Sequence, residues 1–163
     1  MIVVSNTSPL NYLVLVNAVD ALATLYGQVY VPPIVLDELA HPGSPSAVRR
    51  WANAPPAWLL IRSPSVVDPN LTLHAGEAQA IALAEELGAE LILMDERLGR
   101  QTARQKGITP IGVLGVLYDA AGKDLVDLPA IVTRLTTQTT FRCDKALIDD
   151  LLRRHISRVN RNR

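Results

Sequence analysis

Short β-branched and apolar runs alternate along the chain with longer stretches in which apolar residues recur at helical spacing. Residues 2–5, 29–31 and 91–94 are the clearest strand candidates, and residues 58–61 and 109–111 are two further ones. Apolar strands separated by helices are typical of a parallel sheet that helices cover on both faces. The pattern therefore predicts a three-layer α/β fold with a central parallel sheet of four to five strands flanked by helices.

Helical patterns fill the segments between the strands. Prolines in a first turn and glycines after a last turn mark several of their ends, because proline lacks a backbone N–H and glycine tolerates a left-handed backbone. The predicted helices cover residues 8–17, 20–26, 32–40, 46–52, 74–87, 97–106, 113–121, 129–137 and 144–155.

The length and the net charge of the chain indicate one domain without a strong overall electrostatic field. The 163 residues fit a single domain, which we place at residues 1–156. Residues 157–163 are basic and are expected to form a flexible tail, or to contact nucleic acid or an acidic partner. Sixteen basic residues balance sixteen acidic ones, so any attraction to nucleic acid must come from local clusters.

The sequence also predicts a cellular compartment. The single cysteine, Cys143, has no partner for an internal disulfide, which suits a reducing environment. No apolar segment reaches membrane-spanning length, and the amino terminus lacks the pattern of a secretory leader. We therefore expect a cytoplasmic protein.

Candidate chemistry lies at strand ends and helix starts. Asn6 follows the first strand and Asp95 ends the most apolar one, so both are expected at the sheet edge where α/β folds bind ligands. Glu77 lies in the first turn of a predicted helix, and Glu38 flanks the apolar stripe of another. Clustered oxygen ligands of this kind bind Mg²⁺ or Mn²⁺.

Each of these acids also has an ordinary structural explanation. Asp95 can cap a helix. Glu77 can complement the positive end of a helix dipole. Glu38 can be a solvated surface residue, with Asp37 as its nearest competitor for a functional role.

Five short motifs, taken in order, favour the functional explanation. They are Ser5-Asn6-Thr7-Ser8-Pro9-Leu10, Val31-Pro32 through Glu38-Leu39, Gly76-Glu77-Ala78-Gln79-Ala80, Met94-Asp95-Glu96-Arg97-Leu98-Gly99-Arg100 and Gly112-Val113-Leu114-Gly115-Val116-Leu117. Together they resemble the PIN-domain nucleases, and most closely a compact prokaryotic subfamily that accompanies toxin–antitoxin modules. The resemblance implies a metal-dependent endoribonuclease that hydrolyses RNA phosphodiester bonds with Mg²⁺ or Mn²⁺. It also implies a toxin with a cognate antitoxin protein.

The resemblance assigns the catalytic and metal-binding quartet to Asn6, Glu38, Glu77 and Asp95, with the Ser8 hydroxyl as an auxiliary ligand or water-orienting group. The family carries aspartate at position 6, and a neutral amide oxygen there implies weaker metal binding. Asn6 is either a substitution introduced so that a toxic nuclease can be produced, or the natural residue of a protein with weakened or lost cleavage activity.

Three arginines form the candidate RNA contact. Arg97, Arg100 and Arg104 recur at helical spacing directly after Asp95, where they form either a phosphate-binding face or an ordinary solvated one. We also expect a homodimer, because helices 20–26 and 129–137 are more apolar than a small domain requires and PIN-like relatives commonly pair.

Two alternatives to the nuclease stay open. A catalytically silent PIN-like binding module would keep the fold and lose the metal chemistry through Asn6. A phospho-receiver-like domain shares a doubly wound sheet with acids at strand ends. That domain requires adjacent acids after the first strand, and Ser5-Asn6-Thr7 supplies none.

Overall fold

The computed structural model describes all residues 1–163 and contains one five-stranded sheet, in which every pairing is parallel. The strands are β1 (Val3–Ser5), β2 (Val29–Val31), β3 (Leu59–Ile61), β4 (Leu91–Leu93) and β5 (Thr109–Ile111). Their spatial order is β3-β2-β1-β4-β5. The prediction of a layered α/β fold with a central parallel sheet is confirmed.

Helices connect successive strands and cover the sheet on both sides. They are α1 (Thr7–Leu15), α2 (Ala21–Tyr26), α3 (Pro33–Leu39), α4 (Ser46–Asn53), α5 (Ala75–Leu87), α6 (Arg97–Gln105), α7 (Val113–Gly122), α8 (Leu128–Gln138) and α9 (Lys145–Arg161). None of them combines the length and the apolar character that crossing a membrane requires.

The side chains of the inner strands β1, β2 and β4 alternate between two separate cores. Val3 and Leu93 face the larger core, which buries residues of α1, α3, α7 and α8, whereas Val4 and Ile92 face a smaller core built on α5 and α6. This alternation is the period of two that a strand imposes on its side chains. Because both faces of these inner strands are buried, the strands are mostly apolar, as the sequence pattern indicated.

The chain adds β2 and β3 on one side of β1 and then continues on the other side of β1 with β4 and β5. The first strand pairs with β2 on one side and with β4 on the other, with Val3 opposite Leu91 and Ser5 opposite Leu93. Such a switch point leaves a crevice beyond the carboxyl ends of the two strands. The residues that follow β1 and β4 are therefore neighbours in space.

Residues 157–163, which the sequence predicts as a flexible tail, begin within the last helix. The predicted boundary at residue 156 falls inside α9, which continues to Arg161. Arg158 lies 4.0 Å from the centroid of the Tyr118 ring, and its Nη2 donates to the Tyr118 carbonyl oxygen at 3.0 Å. Gly122 makes room for this guanidinium, since a Cβ there would lie 2.6 Å from Nη1. These contacts hold the last turns of the helix against α7.

The apolar residues on which the homodimer prediction partly rests are buried in the core of the chain itself. Leu22 of α2 is fully buried, and so are Leu128 and Leu135 of α8, where Ile131 and Val132 are also buried. All five belong to the larger core. The apolar excess of these helices therefore gives no separate reason to expect a second copy.

We predict that Arg158→Ala lowers the free energy of unfolding by about 1–2 kcal/mol, through loss of the cation–π contact and the hydrogen bond to Tyr118. Urea unfolding followed by circular dichroism measures this change. Arg161→Ala is the matched control, because this arginine is exposed on the same helix. Its effect is expected to stay within about 0.5 kcal/mol. Equal effects of the two substitutions would contradict the prediction.

Candidate functional site

The site is built where β1 and β4 end side by side. Asn6 directly follows β1, and its backbone N–H donates to the Leu93 carbonyl at 2.9 Å. Asp95 follows β4 after one intervening residue, Met94. Both predicted residues thus lie at the carboxyl edge of the sheet.

Asn6 is 3% exposed and has one unpaired polar atom. It occupies the position before α1 but its side chain does not cap that helix. The amide Nδ2 instead donates to Glu96 Oε2 at 3.3 Å, while Oδ1 is buried without a hydrogen-bond partner. A buried unpaired acceptor costs roughly 1–3 kcal/mol. Such an atom is therefore a candidate ligand for something that the protein binds.

Glu96 is the acid that the sequence analysis left unassigned. Its carboxylate accepts hydrogen bonds from the Ser8 hydroxyl through Oε1 and from Asn6 through Oε2. The residue precedes α6, yet its side chain does not cap that helix. The sequence does contain a sign of this role, since two adjacent acids, Asp95 and Glu96, follow a predicted strand. Only Asp95 is predicted there as a site residue.

Glu38 reaches this edge from α3. It lies on α3, where its Oε2 accepts a hydrogen bond from the Thr7 hydroxyl at the start of α1. Its carboxylate also rests on Gly76 of α5, because a Cβ at Gly76 would lie 2.5 Å from Oε1. The small residue beside Glu77 therefore accommodates the carboxylate of Glu38.

Glu77 lies in the first turn of α5 and is 7% exposed. Burial raises the pKa of its carboxyl group, and the negative charges of Glu96 and Glu38 raise it further, against the opposing influence of His74. These electrostatic effects require the three carboxyl groups to lie near one another. Glu77 and Glu96 indeed line one cleft of about 490 Å³, together with His74 and Arg97.

Asp95 has a structural role and also a free oxygen. Its Oδ1 accepts from the Val113 N–H at 2.9 Å, at the first residue of α7, and its Oδ2 is buried without a partner. Burial raises its pKa from 3.8 to about 6; Val113 and Arg100 lower it, and Glu96 raises it. A Cβ at Gly112 would lie 2.7 Å from Oδ1, so glycine permits this close approach. Asp95 therefore does not cap the helix that follows it, α6, and one of its oxygens instead binds the first N–H of α7.

The donor set fits a hard divalent cation in chemical type. Two unpaired buried oxygens, one from Asn6 and one from Asp95, lie at the same edge as three further carboxylates. Oxygen donors of this kind are those that Mg²⁺ and Mn²⁺ prefer. No three side chains among histidine, cysteine, aspartate and glutamate are arranged to hold a metal ion by themselves. The unpaired amide oxygen of Asn6 would add a further oxygen ligand to such a site.

Comparison with known proteins supplies the family. A family model described as a PIN domain matches residues 2–157, nearly the whole chain. The chain belongs to the PIN-domain family. No curated protein and no solved structure matches it. PIN domains are typically nucleases that use divalent metal ions, and the match gives no support to a phospho-receiver domain.

The three arginines predicted to bind RNA are divided over this PIN domain. Arg97 lines the cleft that contains Glu77 and Glu96. Arg100 turns the other way, where its Nη1 donates to the Met94 carbonyl at 2.9 Å and lies beside Asp95. Arg104 is exposed one helical turn further on. Burial lowers the pKa of Arg100, and the charge of Arg104 adds to this effect.

A second cleft of about 480 Å³ opens on the Asp95 side of the PIN domain. Arg142 and Arg154 line it together with Arg100, and its apolar lining includes Ile111 and Leu114. Neither Arg142 nor Arg154 is predicted for this site from the sequence. They lie more than 40 residues from Arg100 in the chain, so helical spacing could not connect them.

We predict that the raised pKa of Asp95 makes the metal-free protein less stable as the pH rises. The folded state holds this proton up to about pH 6, whereas an ordinary aspartate releases it near 3.8. Between these values the folded state binds more protons, so raising the pH lowers the free energy of unfolding, by about 2–3 kcal/mol in total.

Urea unfolding between pH 4 and pH 7, with a chelator present, tests this prediction. Asp95→Asn is expected to remove that part of the pH dependence, because the amide cannot ionise. Asp37→Asn, an exposed position on α3, is the matched control and should keep the wild-type profile. A profile of Asp95→Asn that parallels the wild type would show that Asp95 does not cause it.

Proposed function

We propose that this PIN domain is an endoribonuclease that hydrolyses RNA phosphodiester bonds with Mg²⁺ or Mn²⁺. The observation that carries the proposal is the pair of unpaired buried oxygens, Asn6 Oδ1 and Asp95 Oδ2, at an edge crowded with carboxylates. A protein keeps such uncompensated groups where binding compensates them.

The residues that would hold the ion are Asn6, Glu38, Glu77 and Asp95, with Ser8 as an auxiliary group. When bound, a divalent ion supplies a water of lowered pKa and stabilises charge on the phosphate oxygens. Thr7 orients the carboxylate of Glu38, and Ser8 orients that of Glu96. The Val113 N–H fixes Asp95 so that its second oxygen stays free.

Charge around the two clefts supports a polyanionic substrate. Arg100, Arg142 and Arg154 share one cleft with Asp95, and Arg97 shares the other with Glu77 and Glu96. Guanidinium groups bind phosphate oxygens through paired hydrogen bonds. Since the net charge of the chain is zero, these local clusters would provide the attraction to RNA.

A catalytically silent binding module is the second candidate function. Asn6 and the lack of a group of three metal-holding acidic or histidine side chains favour it. In that case the arginine-lined clefts would bind nucleic acid without cleaving it.

Further biological roles of the proposed nuclease rest on the family resemblance. We place it in the cytoplasm as the toxin of a toxin–antitoxin pair, with a small antitoxin protein as partner. A neighbouring reading frame that encodes such a small protein would support this assignment. A neighbourhood without one in any related genome would count against it.

We also retain the homodimer as a prediction, now resting on the resemblance alone. Light scattering over a wide concentration range is expected to report twice the mass of the 17.7 kDa chain. The monomer mass at every concentration would contradict it.

The test of the nuclease is calorimetric titration of the full chain with Mn²⁺, together with cleavage of a structured RNA. We expect wild-type protein to bind Mn²⁺ and to cleave RNA until a chelator is added. Asp95→Asn is expected to reduce Mn²⁺ affinity by about 10- to 100-fold, and Asp37→Asn to leave it unchanged. RNA binding without Mn²⁺ binding or cleavage would favour the silent module.

A further inference from the structure

Glu96 places a carboxylate directly against the amide of Asn6. The two residues are 90 positions apart, and Asn6 Nδ2 lies 3.3 Å from Glu96 Oε2. Ser8 holds the other oxygen of Glu96 from the first turn of α1. The side chain of Glu96 therefore reaches from the end of β4 to the end of β1.

This contact also explains the orientation of Asn6. The amide directs its nitrogen at Glu96, because a carboxylate only accepts hydrogen bonds. The amide oxygen must then point elsewhere, and it is buried and unpaired. This hydrogen bond thus fixes the side chain of Asn6, whose amide oxygen is a neutral candidate metal ligand, beside the negatively charged carboxylate of Glu96.

Glu96 is not explained by a purely local role. It does not cap α6, the helix that it precedes. Its two hydrogen bonds occupy about half of the roughly four acceptor positions of a carboxylate, so Glu96 retains capacity for a ligand. Its charge also acts on both Glu77 and Asp95, one on each side of the site.

We propose that Glu96 supplies the carboxylate that Asn6 lacks, and that it is a fourth anionic ligand for a hard divalent cation. In this arrangement Asn6 and Glu96 act as a unit, with the amide contributing an oxygen and the glutamate contributing the charge. Affinity for Mg²⁺ and Mn²⁺ depends on the number of anionic ligands, so the exchange would preserve it. The inference rests on the proposed metal-dependent function.

The test is a cycle of three variants of the full chain, titrated calorimetrically with Mn²⁺. Glu96→Gln keeps the shape and the acceptor for Ser8 but removes the charge, so Mn²⁺ affinity should fall about 10- to 100-fold. Asn6→Asp adds a charge and should raise Mn²⁺ affinity. The double variant Asn6→Asp/Glu96→Gln exchanges the amide and the carboxylate and keeps the net charge. It should therefore bind Mn²⁺ with an affinity within about threefold of wild type, because substitutions of two residues in contact are not additive.

Thermal unfolding without metal is the second measurement. Asn6→Asp places two carboxylates in contact and removes the donor, so its melting temperature should fall, and the double variant should recover it. Asp37→Asn, at an exposed position on α3, is the control that removes a carboxylate outside the site and should leave both measurements unchanged. If Glu96→Gln does not fold, the double variant alone decides.

The outcomes separate the two proposals. Wild-type binding of Mn²⁺ with Glu96→Gln unchanged would overturn the role of Glu96 and leave the nuclease proposal intact. A double variant that stays as weak as Glu96→Gln would overturn the exchange of charge between the two positions. Absence of Mn²⁺ binding by wild type and by Asn6→Asp would overturn both proposals.

Discussion

The parallel pairing of β1 with β4 is the contact on which the rest of the structure depends. It joins segments almost 90 residues apart, with Val3 opposite Leu91 and Ser5 opposite Leu93. The cores on the two faces of the sheet stabilise this pairing, since apolar burial is the main favourable term in folding. The same register brings the residues after β1 beside those after β4. The same strand pairing is thus part of both the packed core and the candidate site.

Concentrated negative charge at this edge is costly for the folded chain. Burial raises the pKa of Glu77 and Asp95, and Glu96 adds to both effects. The chain offsets part of this cost with neutral hydrogen-bond donors, namely Thr7, Ser8, Asn6 and the Val113 N–H. Neutral donors orient the carboxylates and leave their charge uncancelled. This balance suits a site that is completed by a cation.

The sheet edge separates two surfaces of different character. One cleft collects Glu77, Glu96 and Arg97, and the other joins Asp95 to Arg100, Arg142 and Arg154. Asp95 and Glu96 are adjacent in the chain but bind different helices, since Asp95 accepts a hydrogen bond from the start of α7 and Glu96 accepts one from α1. Two consecutive residues therefore connect the acidic and the basic surface.

The sequence by itself determined the order of strands and helices, the parallel sheet, and the position of Asn6 and Asp95 at one edge. These features follow from local periodicity and from the fixed direction of parallel strands. Only the tertiary structure decided that Glu96 accepts a hydrogen bond from Asn6 and that the carboxylate of Glu38 packs on Gly76. It also decided that the arginines line two different clefts and that α9 continues past residue 156. Each of these depends on side chains that meet across long separations in sequence, where a one-dimensional pattern carries no information about rotamer or distance.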